Sequence, residues 1–150
     1  MRQLSTIGYE HATAAAVLSE LVEARVEVVV DVRAISASRR PGFSKRQLAA
    51  GLEAHDIRYL HLRGLGTPAE GRLAARSGHY DELWRIFERH LATPPAREAM
   101  DELAALVLSG RHVCLLCYER DPHRCHRLRV AELACERASA TVRHLAAKLA

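Results

Sequence analysis

The chain has 150 residues, of which 49% are hydrophobic and 27% charged, and a net charge of +4 from 22 basic and 18 acidic side chains. This balance is that of an ordinary globular protein and suits one domain over residues 1–150, which excludes disordered, collagen-like and disulfide-scaffold classes. No apolar run reaches the ~18 residues of a membrane span; the longest, around Val26–Val32, is broken by Glu27 and Asp31.

The opening residues lead into a strand-like run, Gln3–Ile7, with no signal-peptide-like apolar core. Ala12–Arg25 carries Val17, Leu18, Leu21 and Val22 at helical spacing. Val26–Val32 is β-branched and nearly continuous, as in a strand buried on both faces. Ser38–Phe43 is a basic turn. Ser44 then reads as an N-cap, with Gln47 completing a capping box for a helix running to about His55. Ile57–Leu62 is a third strand, and Gly64, Gly66, Pro68 and Gly71 mark a loop. Helices are predicted over Asp81–Leu91 and Pro95–Ser109, and a fourth strand over Arg111–Cys117. Asp121-Pro122 reads as the N-cap and first residue of a helix extending to about Arg137, and Thr141–Leu145 as a short last strand. Strands alternating with helices imply a three-layer α/β fold: a mostly parallel sheet of about five strands with helices on both faces.

In such sheets ligands bind outside the carboxyl ends of the strands. The polar clusters of this sequence fall there: Thr6-Ile7-Gly8, Asp31-Val32-Arg33, His61 before Gly64 and Gly66, and Cys117-Tyr118-Glu119. Cys114 and Cys117 are three apart on a strand and therefore point to opposite faces, so Cys114 reads as core and Cys117 as a site residue. Cys125 and His126 fall in the first turn of the following helix, where the helix dipole favours a thiolate or an anion.

Three readings of this stretch stand side by side. Cys117 or Cys125 is a reactive thiolate assisted by His126 and Arg127. Alternatively Cys117, Cys125 and His126 bind a metal with His123 or Glu119, although Cys-x7-Cys-His is no common zinc spacing. Or the thiols and imidazole are structural. A Cys-x5-Arg phosphatase loop is excluded, because His123 stands where its Arg belongs. Asp31 reads either as a general base or substrate-hydroxyl ligand, or as a residue that caps a loop or pairs with an Arg, since a buried carboxylate needs a partner.

Thr6-Ile7-Gly8, Val30-Asp31-Val32-Arg33, Ser38-Arg39-Arg40, Phe43-Ser44, Tyr59-Leu60-His61-Leu62, Leu65-Gly66 and Cys117-x-Glu119-x-Asp121-Pro122-x-x-Cys125-His126-Arg127 together resemble the domain-of-unknown-function 488 family. The resemblance implies a compact α/β domain in a mostly prokaryotic family with no established reaction. Its motif positions here are Thr6, Gly8, Asp31, Arg33, Arg39, Gly66, Cys117, Glu119, Cys125, His126 and Arg127. Two positions depart from it. Tyr9 stands where the family usually has His, with His11 two residues later, and Ile35-Ser36-Ala37 lacks a usual Pro.

The resulting expectation is a cytoplasmic enzyme, thiol-dependent or acid/base, acting on a small anionic, phosphate- or nucleotide-like ligand. Arg33, Arg39 and Arg127 would hold the anion, with Thr6, Gly8 and Gly66 as further substrate-binding positions. Asp31 and Glu119 would be the acid/base groups, and Cys117 or Cys125 the nucleophile, assisted by His126. The other classes carried forward are a nucleic-acid- or partner-binding module and a Cys/His metal protein. No cofactor, oligomeric state or strand order follows from the sequence, and no membrane partner is expected.

Overall fold

The computed structural model describes residues 2–149. Five strands, β1 (Arg2–Gly8), β2 (Val28–Asp31), β3 (Arg58–His61), β4 (Val113–Cys117) and β5 (Ala140–His144), form one sheet in the order β3-β2-β4-β1-β5, every pair parallel. The helices between them are α1 (Ala14–Glu23), α2 (Lys45–Glu53), α3 (Ala69–Arg76), α4 (Tyr80–Leu91), α5 (Pro94–Leu108) and α6 (Arg127–Ala138). Among the described residues no helix is long and apolar enough to cross a membrane.

Strand periodicity sorts the core into two layers. Val28 and Val30 of β2, with Val113, Leu115 and Cys117 of β4, face Leu103 and Val107 of α5 and Val130 and Ala134 of α6. Val29, Cys114 and Leu116 face Val17 and Leu21 of α1 and Leu48 and Leu52 of α2. Cys114 and Cys117 thus belong to opposite layers, as their spacing predicts.

This split also defines a crevice. β1 and β4 are neighbours, yet β1 leads into α1 on one face while the chain leaving β4 turns to α6 on the other. Loops that part in this way open a gap at the carboxyl ends of the strands. Register brings Gly8 opposite Cys117 and Asp31 opposite Leu116, so the three strand ends finish nearly level.

Three local expectations are corrected. The segment after Gly64 is not all loop: Ala69–Arg76 is helical, because Pro68 precedes its first turn and Gly71 packs tightly against Thr67, Leu83 and Ile86. The capping box at Ser44 does not form. Ser44 Oγ is engaged with the backbone N–H and carbonyl of Ser38, both at 3.0 Å, and Gln47 Oε1 accepts from the Gly42 N–H. Asp121 does cap the His123 N–H, but Pro122–Arg124 is only a single 3₁₀ turn and α6 starts at Arg127. Cys125 and His126 therefore precede the helix.

Gly8 is required by close approach: a Cβ there would lie 1.7 Å from the Glu119 carbonyl oxygen. Gly8→Ala is expected to destabilise the fold by about 2–3 kcal/mol, measured by urea denaturation. An unchanged midpoint would show that the Glu119 loop yields freely.

Candidate functional site

The end of β4 and the chain leaving it carry the two thiols and the imidazole singled out by the sequence. Cys117 ends the strand; Cys125 and His126 return to it after the 3₁₀ turn, and all three are buried. His126 Nδ1 lies 3.8 Å from Cys117 Sγ and 3.7 Å from Cys125 Sγ, and the three donor atoms fall within 4.8 Å of one another. The opposite ring nitrogen, Nε2, donates to the Val32 carbonyl at 2.8 Å. That bond fixes the ring's orientation and turns Nδ1 toward both sulfurs. Phe87 packs its ring against the imidazole at 5.2 Å between centroids, in a T-shaped arrangement.

The protons in this cluster are unevenly held. Burial pushes the Cys125 thiol up, but the hydrogen bond from Cys117 and the neighbouring His126 and Arg127 bring it well below the ordinary range. Cys117, as hydrogen-bond donor to Cys125 and as a buried thiol, is raised well above it. Burial lowers His126, yet the Cys125 charge more than offsets this and the imidazole is raised. The two thiols are thus driven in opposite directions, Cys125 down and Cys117 up. Beside it, Glu119 is pushed up to about 7 by burial, by Glu10 and by Cys125.

A fully buried guanidinium, Arg127, frames the cluster. Its Nε donates to Thr6 Oγ1 at 3.2 Å, and its terminal nitrogens donate to the carbonyls of Glu119 and, at 3.0 Å, Arg120. Thr6 Oγ1 is also hydrogen-bonded to His144 Nδ1 at 2.6 Å. Burial and Arg127 both hold His144 below its ordinary range.

Asp31 and Arg33 form a second buried unit. Arg33 donates Nε and a terminal nitrogen to the two Asp31 oxygens at 2.9 and 2.8 Å, and Tyr59 donates its hydroxyl to Asp31 at 2.6 Å. Arg33 also reaches the Phe43 carbonyl at 2.7 Å and the Tyr9 hydroxyl at 3.1 Å. Asp31 therefore takes the Arg-partner arrangement, not that of a free base.

A cleft with a volume of about 280 Å³ opens beside these groups. Cys117, Glu119, Cys125 and His126 line it together with Arg33 and Tyr9. Of the other positions singled out by sequence, Thr6 and Arg127 lie behind the wall. Gly8 and Gly66 bring loops close: a Cβ on Gly66 would come within 2.4 Å of the Ala34 backbone. Arg39 is exposed and away from the cleft; its neighbour Arg40 instead donates to the Tyr9 carbonyl at 3.3 Å. Tyr9 stacks on Phe43 at 4.1 Å, while the exposed His11 points to Glu10 and does not enter the site.

Arg33 and Arg127 spend their guanidinium groups on the protein's own oxygens. The cations that face the cleft with fewer commitments are ones the sequence reading did not single out: Arg72, Arg76 and Arg124. The signal for the first two was their four-residue spacing, one turn of a helix, which reading the segment as a loop concealed. Arg124 leans over the Tyr80 ring at 5.8 Å and sits 3.8 Å from Asp121 at the surface.

Fold and site together define an open, doubly wound α/β protein with a Cys-Cys-His cluster in the crevice at its topological switch point. The chain belongs to the family described as domain of unknown function DUF488, which it matches over residues 13–134. That span holds every motif position from Asp31 to Arg127, while Thr6 and Gly8 lie before it. No curated protein and no solved structure matches the chain.

Asp31→Asn is expected to cost about 3–5 kcal/mol, because it strands the buried Arg33 charge. The double variant Asp31→Asn/Arg33→Met is expected to recover much of that loss in the same denaturation experiment. Additive losses in the double variant would remove the coupling.

Proposed function

We propose that this chain is an enzyme that binds a small phosphate- or nucleotide-like anion in the cleft and reacts it beside the Cys117–Cys125–His126 cluster. One observation carries the reading: Arg72, Arg76 and Arg124 line the same cavity as the two thiols, the imidazole and Glu119. The planar guanidinium fork suits phosphate and carboxylate oxygens. Glu119, the only carboxylate among the lining residues, serves as acid/base group, and Cys125, which lines the same cavity, is the reactive thiol. Asp31 and Arg127 act as positioning residues through the loops they hold.

Convergence of the cations in a concave site favours a small ligand over nucleic acid. A nucleic-acid- or partner-binding module would spread them as a stripe over an open face. The four cysteines are free thiols, which suits a reducing, cytoplasmic location.

Titration of isotopically labelled protein with inorganic phosphate, pyrophosphate and adenosine monophosphate, followed by NMR, tests the reading. Saturable shifts are expected at the lining residues, with affinity falling as salt rises. Arg76→Ala and Arg124→Ala should each weaken binding roughly 3- to 10-fold, a modest effect because both side chains are exposed. Unchanged binding in the Arg72→Ala/Arg76→Ala/Arg124→Ala protein, or no binding of any of the three probes, would sink it.

A further inference from the structure

We infer that Cys117 Sγ, Cys125 Sγ and His126 Nδ1 form a binding site for a zinc-class transition-metal ion whose fourth coordination position opens into the cleft. The inference deepens the proposed function and rests on it only for what the open position receives. The ion site itself stands on the three side chains.

The two sulfur–nitrogen distances match those a shared ion imposes. Tetrahedral coordination with Zn–S of ~2.3 Å and Zn–N of ~2.1 Å separates sulfur from nitrogen by roughly 3.6 Å. The two separations here are 3.8 and 3.7 Å. One imidazole lone pair can accept only one thiol proton, so two sulfurs nearly equidistant from the same nitrogen exceed what a hydrogen bond asks. An ion at the common focus uses all three.

The surroundings are those of a ligand set. The Nε2–H bond to the Val32 carbonyl is the outer contact that orients a metal-ligating histidine and leaves Nδ1 free to coordinate. Cys117 is anchored at the end of a central strand, and Cys125 and His126 sit in a turn whose ends Arg127 ties to β1 and to the Glu119–Arg120 carbonyls. Two thiolates cancel the charge of a divalent ion, so such an ion can lie beside the buried Arg127 without an added carboxylate. Thiolate and imidazole donors select zinc over magnesium or calcium.

Among the described residues no fourth protein donor joins the group. Cys114 lies in the opposite layer, and His123 is exposed and turned to Asp121. All three ligands line the cleft. Three protein ligands with an accessible fourth position are the pattern of reactive rather than structural zinc. That position would take water or an oxygen of the bound anion.

Titrating the metal-free full chain anaerobically with Co²⁺ alone tests the site. The expected result is one ion per chain, with the intense visible bands of tetrahedral cobalt and a thiolate-to-cobalt charge-transfer band, both abolished by added Zn²⁺. Cys117→Ser and Cys125→Ser should lose the charge-transfer intensity, and His126→Asn should bind about tenfold more weakly or worse. Cys114→Ala and Cys135→Ala should behave as the parent chain. Because the ligand variants could misfold, alkylation of the native parent chain provides a second readout: Zn²⁺ should slow labelling of Cys117 and Cys125 at least about tenfold and leave Cys135 unaffected.

A folded parent chain with neither charge-transfer band nor protection overturns the metal site and leaves phosphate binding in the cleft standing. So does a cobalt spectrum that survives Cys125→Ser, since the ion then lies elsewhere. A cobalt spectrum in a chain that binds no phosphate keeps the ion site and removes the anionic substrate.

Discussion

A guanidinium taken wholly out of water carries a desolvation cost of several kcal/mol unless its donors are met. Arg127 meets them with neutral oxygens: the Thr6 hydroxyl and the carbonyls of Glu119 and Arg120. Those oxygens belong to β1 and to the loop leaving β4, so one side chain at the start of α6 ties together the two neighbouring strands between which the crevice opens. No carboxylate among the described residues forms an ion pair with it, and both Cys117 and Cys125 feel its charge. Gly8 is the other half of this arrangement, since the Glu119 carbonyl reaches Arg127 through space that any side chain there would occupy.

The Asp31–Arg33 unit does for β2 what Arg127 does for β1 and β4. The pair fixes the end of β2 and holds the chain beyond it through Tyr9 and the Phe43 carbonyl. The Val32 carbonyl lies between the paired residues and sets the orientation of His126. A change at Tyr59, which completes the Asp31 shell from β3, can therefore be felt at the imidazole without touching it. No buried side-chain nitrogen or oxygen among the described residues lacks a partner, so this polar network is complete.

Much of the architecture was legible because strand periodicity and buried β-branched runs are local signals. Val26–Val32, the opposed faces of Cys114 and Cys117, and the clustering of polar groups past the strand ends all follow from a period of two and a parallel sheet. What failed depended on competition between partners. Ser44 and Gln47 have the right spacing for a capping box, but the Ser38 backbone and the Gly42 N–H claim their side chains first. The glycines before α3 suggested a loop, whereas Gly71 serves helix packing. Arg33 and Arg127 were legible as site-related cations, yet whether a guanidinium faces a ligand or its own backbone is a tertiary fact that sequence spacing does not carry.

The cleft draws on several stretches of chain, two of which carry most of its polar lining. The sulfurs, the imidazole and Glu119 come from the end of β4 and the turn before α6. Arg72 and Arg76 come from α3, which pairs with α4 inside the long crossover from β3 to β4. That helical pair rests on the body through Phe87 of α4, Leu83 and Ile86 pack within it against Gly71, and its tip turns at Gly78 with a positive φ of 75°. Arg72 and Arg76 thus stand on a different module from the Cys-Cys-His cluster, while Arg124 shares the cluster's own turn. Within a lineage the α3–α4 hairpin can be lengthened or recharged, changing one wall of the cleft, while the Cys-Cys-His corner stays as it is.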